Sequence, residues 1–245
     1  MPAWHLLESN AADAAFNMAL DEALLVTAAR RRVPLLRVYR WTQPAASFGY
    51  FQKYPAHLAA TRQLVRRPTG GGLVYHGADT TYTVVAPPDD PLAALRTTEA
   101  YRLLHQAVAA ALPQVAARVS AWPAVSPGCA RVSDPAREAD RRSPSPSASA
   151  PVASRRYECF LNPVPGDVVV DGRKLAGGAQ RRSKRGLLHQ GSIAATVTAA
   201  QLADGFRQQL AAEFQAYRLT PEELALAETL ARDKYATDAW NQRVL

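Results

Sequence analysis

Cysteine is nearly absent from this 245-residue chain, and the two present, Cys129 and Cys159, exclude a disulfide framework. Their spacing suits no zinc motif, so no metal site is expected. No apolar run is long enough to span a bilayer, and no membrane partner is expected. The opening MPAWHLLESN lacks both a basic n-region and an apolar h-region, which excludes a secretory signal and makes cytoplasmic residence the expectation. Neither GxxxxGK[ST] nor GxGxxG occurs, so mononucleotide binding does not follow from a recognised phosphate loop. Lysine is scarce too, with only Lys53, Lys174, Lys184 and Lys234 in a chain that strongly favours arginine. No internal repeat is visible.

What the chain has in excess is positive charge, a formal +8. It recurs as short clusters, including Arg66–Arg67 and Arg181–Arg185, rather than as one tract. One reading is a solvated arginine-rich surface and the other an acidic partner. No aromatic interleaving accompanies the clusters, so nucleic acid is not the expected partner.

Hydrophobic residues make up 48% of the chain, and a sizeable core is feasible at this length. Periodicity predicts a helix over 16–32 with Asp13 as a possible cap, then a strand at 35–41. A strand or loop follows at 47–52, with short extended pieces at 64–67 and 73–76. A strand at 81–86 is stopped by Pro87 and Pro88. A helix over 98–112 and a strand at 115–122 come next. Residues 123–155, rich in Pro, Ser, Ala and Arg, read as a disordered, mobile insertion within one domain. Three strands at 167–170, 173–180 and 187–195 form a meander, with Asp171–Gly172 as a tight turn. Thr198 caps a helix to about 214. Thr220, Pro221 and Glu223 open the last helix as cap, first-turn proline and capping-box acid. The mixed order without regular βαβ alternation favours α+β.

Chemistry concentrates in two stretches, RRPTGGGLVYH at 66–76 and CFLNPVPGDVVVDGRKLAGGAQ at 159–180. Gly70, Gly71 and Gly72 strip Cβ atoms from a whole loop, so a ligand can lie against main chain; a flexible turn beside a solvated basic pair is the plain alternative. His76 is either structural or catalytic, with Asp79 placed to orient it. Lys174 follows the tight turn and precedes Gly177 and Gly178. Facing inward, it must meet an anion; facing outward, it is an ordinary surface lysine. Cys159 is either a nucleophile in positive surroundings or a small buried residue. Cys129 lies in the least structured part and reads as incidental.

The segments FNMALDEALL (16–25), LRVYRW (36–41), FGYFQ (48–52), VRRPTGGGLVYHGADTTY (65–82), DGRKLAGGAQ (171–180), LLHQGSI (187–193) and KYATDAWN (234–241) together resemble the lipoate branch of the lipoate/biotin protein ligase superfamily. The resemblance implies one catalytic domain over 1–245, with mixed and antiparallel sheets flanked by helices. Cysteine in ECF before the DGRK lysine is similar to the cysteine-loop octanoyltransferases. These move an octanoyl group from acyl carrier protein to a lysine of a lipoyl domain or glycine-cleavage H protein. The resemblance then casts Cys159 as nucleophile and Lys174 as the group at the acyl carbonyl. Arg67 supplies charge at the mouth, and Thr69, Gly70, Gly71, Gly72, His76, Gly177, Gly178 and Ala179 line the substrate site. No cofactor is required on that reading. An ATP-dependent lipoate ligase, needing ATP and Mg, shares the glycine motif and the lysine and is the alternative, as is lipoyl amidotransfer. The chain departs from the family at 189–191, His-Gln-Gly, where histidine usually stands directly before the glycine.

Overall fold

The computed structural model describes residues 2–121 and 163–243. The 123–155 insertion, Cys129 and Cys159 therefore lie outside the described residues.

Strand β6 (Thr80–Ala86) organises the larger sheet, and all seven of its residues are buried. It pairs antiparallel with β2 (Leu35–Tyr39) on one side and β10 (Gly186–Ile193) on the other. Strands covered on both faces show no simple polar–apolar alternation, and the polar residues in these three, Arg37, His189 and Gln190 among them, are buried as well. The described order is β11 (Glu213–Ala216), β1 (Ala3–Glu8), β2, β6, β10, β9 (Arg173–Ser183), β8 (Val168–Val170) and β7 (Arg118–Val119). β1 runs parallel to both of its neighbours, and every other pair is antiparallel.

Two helices cover each face. On one, Leu36, Val38, Tyr82 and Val84 meet Leu104 and Val108 of α4 (Thr97–Ala110) and Leu202 and Phe206 of α5 (Ala199–Leu210). On the other, Leu35, Val85 and Leu188 meet Leu20 and Leu24 of α1 (Ala14–Val26) and Ala227 of α6 (Pro221–Leu230). Each fully buried leucine here contributes roughly 1.5–3 kcal/mol of transfer free energy. A smaller sheet, β4 (Gln63–Arg66), β3 (Ala45–Phe48) and β5 (Val74–His76), packs across the start of α1 through Ala45, Val65, Met18 and Ala19. The two sheets thus face each other beside one end of α1.

The α+β class, the meander and the helix caps follow the sequence expectations. Asp13 accepts from the Phe16 amide at 2.8 Å, and Thr198 and Thr220 both form capping boxes. Both residues of the Asp171–Gly172 turn have positive φ, 49° and 76°, as a two-residue hairpin turn requires.

Three boundaries differ. The helix expected over 16–32 stops at Val26, where the backbone of Thr27 leaves the helical path with φ −90° and ψ −3°; a four-residue α2 (Ala28–Arg31) follows and ends at left-handed Arg32. The strand expected at 115–122 shrinks to Arg118–Val119, since Pro113 starts a 3₁₀ turn and β8 offers only Val168 and Val169 as partners. The helix expected to run to 214 ends at Leu210. The chain then turns through left-handed Ala211 so that 213–216 can pair with β1 and Phe214 can pack 5.8 Å from Trp4.

Candidate active site

A cleft opens between the two sheets. The larger sheet contributes Gly177, Gly178 and Ala179 of β9 and Gln190, Gly191 and Ser192 of β10. The smaller sheet and its loop contribute Ser47, Arg67, Gly71, Val74 and His76, and Met18 closes the α1 side. The register explains the lining: Gln190 pairs with Ala179 and Ser192 with Gly177, so these four share a face.

The glycine loop is held from inside. The Arg67 guanidinium is turned inward rather than standing at the mouth as the sequence suggested, and the residue is 6% exposed. One nitrogen donates to the Ser47 carbonyl and hydroxyl at 2.7 and 2.8 Å, the other to the carbonyls of Gly70 and Gly72 at 3.0 and 2.6 Å. The three glycines are not equivalent. Gly71 has φ +87° and lines the cleft, whereas a Cβ on Gly70 would meet nothing within 4 Å. Gly70 and Gly72 serve through their carbonyls. Thr69 is buried behind the loop and donates to Gln190 at 2.8 Å. Gln190 in turn donates to Asp21 at 2.7 Å, and Asp21 forms a fully buried ion pair with Arg37 at 2.6 Å. Tyr39 and Thr83 also donate to Asp21. A chain of polar contacts thus runs from the sheet interior to the glycine loop.

His76 is clamped on three sides. Its ring stacks on Trp41 at 4.0 Å, Nδ1 meets Asp79 at 2.8 Å, and Nε2 meets the Ser47 hydroxyl at 2.7 Å. Burial holds the imidazole below its ordinary pKa despite the neighbouring carboxylate. Burial also works against ionisation of Asp79. Hydrogen bonds from His76, Ser192 and the Gly77 amide outweigh it and bring the carboxyl down to about 2. A neutral imidazole therefore donates Nδ1–H to Asp79 and accepts the Ser47 hydroxyl proton, while Arg67 donates to that hydroxyl.

Lys174 faces inward, with its side chain 2% exposed, and the anion it meets is Asp167 at 2.9 Å. Its tip lies against Gly177. A Cβ added there would stand 2.5 Å from Nζ and closer still to Cε. Gly178 gives similar room to His189, whose ring lies on the opposite face of β10 among Tyr82, Tyr101 and His105. Burial pushes His189 well below its ordinary pKa and brings His105 down to about 4.

The structure thus brings together Arg67, Gly71, His76, Gly177, Gly178 and Ala179 in one cleft, with Lys174 against its wall and Thr69, Gly70 and Gly72 supporting it. The sequence reading missed Ser47, Asp167, Tyr101, Trp41 and Gln190. Among the described residues no group of three or more His, Cys, Asp or Glu side chains is placed to hold a metal ion, and no helix is long and apolar enough to cross a membrane.

Residues 13–219 match the family described as the lipoyl protein ligase A/B catalytic domain. The chain belongs to this family. Octanoyltransferase LipM of Kyrpidia tusciae is 32% identical, with 99% of this chain and 100% of that protein aligned. Octanoyltransferase LipM of Bacillus subtilis is 30% identical, with 98% of each aligned. Among solved structures, a lipoate-protein ligase A bound with ATP superposes with a TM-score of 0.71 at 22% identity, covering 100% of both chains. A bi-partite lipoate protein ligase from Thermoplasma acidophilum gives 0.68 at 21%, covering 100% of this chain and 98% of that one. These two share the fold.

Proposed function

We propose that this protein is an octanoyltransferase of protein lipoylation. It would take an octanoyl group from acyl carrier protein and pass it to a lysine of a lipoyl domain or glycine-cleavage H protein. The observation that carries the reading is the full-length relation to octanoyltransferases, and the cleft supports it. A narrow slot walled by glycines, Met18 and Val74 suits a straight acyl chain. A buried ammonium against that wall suits the oxygen of a thioester carbonyl.

The chemistry is two acyl transfers. The Cys159 thiolate adds to the thioester carbonyl, and the carbon–sulfur bond to the carrier breaks. The departing thiolate takes up a proton, leaving an acyl-cysteine. The acceptor's amine, as the free base, then adds to that carbonyl. An amide forms, the Cys159 thiolate leaves, and the nitrogen's extra proton is released. Lys174 would donate to the carbonyl oxygen in both steps, where negative charge develops. The +8 charge favours acidic protein partners.

Intact-mass spectrometry after incubation with octanoyl acyl carrier protein tests this. A hydroxylamine-sensitive octanoyl adduct on the wild type and none on Cys159→Ser supports it. No adduct, with acceptor modified only when free acid, ATP and magnesium are supplied, identifies a ligase instead. Transfer only from an already acylated lipoyl domain identifies an amidotransferase.

A further inference from the structure

Lys174 is held by a carboxylate that has its own supports. One oxygen of Asp167 accepts from Lys174 at 2.9 Å and from the Val164 amide at 2.8 Å. The other accepts from the Tyr101 hydroxyl at 2.8 Å. The Gly178 amide donates back to the Tyr101 oxygen at 3.1 Å, which fixes that hydroxyl against the cleft wall. The Asp167 side chain is 0% exposed. Its backbone is pinned as well, with the Ser120 amide donating to the Asp167 carbonyl at 2.8 Å and His105 Nδ1 meeting the Gly166 carbonyl at 2.6 Å.

A buried ammonium with three protons can point one at a carboxylate and another at a ligand. A buried carboxylate needs several donors, and Asp167 keeps two when Lys174 shares itself with a second oxygen. We infer that Asp167, braced by Tyr101, is a positioning residue that keeps the Lys174 side chain aimed along Gly177, so that one ammonium bridges Asp167 and the acyl carbonyl oxygen. This rests on the reading of Lys174 given above. Among the described residues, the titratable groups around the pair include Tyr101 and His105 of α4, Tyr82 of β6 and His189 of β10, with Asp171 and Arg173 on the adjoining turn. Burial holds both histidines and both phenols in their neutral forms. Among the described residues, Asp167 is the carboxylate that ion-pairs with Lys174.

The test is octanoyl transfer from octanoyl acyl carrier protein to a lipoyl domain, with kcat and acceptor KM read separately, on the full-length protein. Asp167→Asn is expected to lower kcat about 10- to 100-fold with little change in acceptor KM. Tyr101→Phe removes one brace and is expected to give a smaller loss of kcat. Folded Asp167→Asn with the wild-type kcat overturns the inference. If that variant does not fold, wild-type kinetics in Tyr101→Phe overturns it equally. Lys174→Ala separates the two claims: if it is fully active, the reading of Lys174 fails; if it is inactive while Asp167→Asn is normal, only the positioning role fails.

Discussion

Arg66 and Arg67 are neighbours in sequence but serve different parts of the molecule. Arg66 donates to the carbonyls of Tyr50, Gln52, Trp240 and Asn241 and so ties the C-terminal turn to the smaller sheet. Arg67 laces the glycine loop. A lysine at 67 offers three donors on a point charge rather than a planar fork. Arg67→Lys is expected to lose about half of these bonds, raise the KM for octanoyl acyl carrier protein several-fold and lower thermal stability, measured by steady-state kinetics and calorimetry. Arg37→Met leaves Asp21 charged and buried, and is expected to cost about 3–5 kcal/mol in urea unfolding. Adding Asp21→Leu removes the stranded charge but leaves the Tyr39, Thr83 and Gln190 donors without their acceptor, so only part of the loss should be recovered. Gly177→Ala drives a methyl into the Lys174 tip, and a drop in kcat of tens-fold without loss of folding is the expected result in the transfer assay. The inward placement of Lys174 and the pairing of His76 with Asp79 were legible as alternatives in the sequence. The other partners were not: Ser47 lies 29 positions from His76 and Tyr101 lies 66 from Asp167, so only the tertiary fold makes these contacts.

Among the elements, those defined by local chemistry were the readable ones. Side-chain caps at Asp13, Thr198 and Thr220 and the Asp171–Gly172 turn involve residues one to three positions apart. β1 and β11 carry no such signal: β11 pairs with β1 across more than two hundred residues, and β1 is held between it and β2. Glu223 shows how a local signal acquires a long-range role. As the capping-box acid of α6 it accepts from the Thr220 amide at 3.0 Å. It also accepts from the Thr27 hydroxyl at 2.9 Å, the Tyr217 hydroxyl at 2.9 Å and Arg31 at 3.3 Å. Thr220→Ala removes only the cap and is expected to cost about 1 kcal/mol. Glu223→Ala strands Arg31, whose side chain is 4% exposed, and is expected to cost about 3 kcal/mol or more. Chemical denaturation of the two variants side by side checks the contrast.

At the scale of the whole molecule, His76, His105 and His189 are all buried and all held below their ordinary pKa by burial. The unfolded chain therefore takes up protons on these histidines before the folded one does. Their contribution to stability is complete above about pH 6.5 and is lost as pH falls below that value. For His105, whose folded pKa is about 4, the loss runs down to about pH 4 and is of order 3 kcal/mol. Asp79 adds a second loss, between its ordinary value of 3.8 and about 2. Thermal midpoints measured from pH 7.5 to 4.5 should fall steadily. His105→Asn should start lower at pH 7.5 and fall less steeply.

The central place of β10 in the sheet also shapes how the chain is made. β6, buried on both faces and rich in β-branched residues, needs β10 to complete its hydrogen bonds. The intervening stretch is roughly a hundred residues, on the order of 5–20 s of synthesis at the ribosome. For that interval the nascent chain carries an open, apolar strand edge, the kind that pairs with strangers. The cleft between the two sheets cannot exist before that edge closes, because Gln190 and Ser192 form part of its wall.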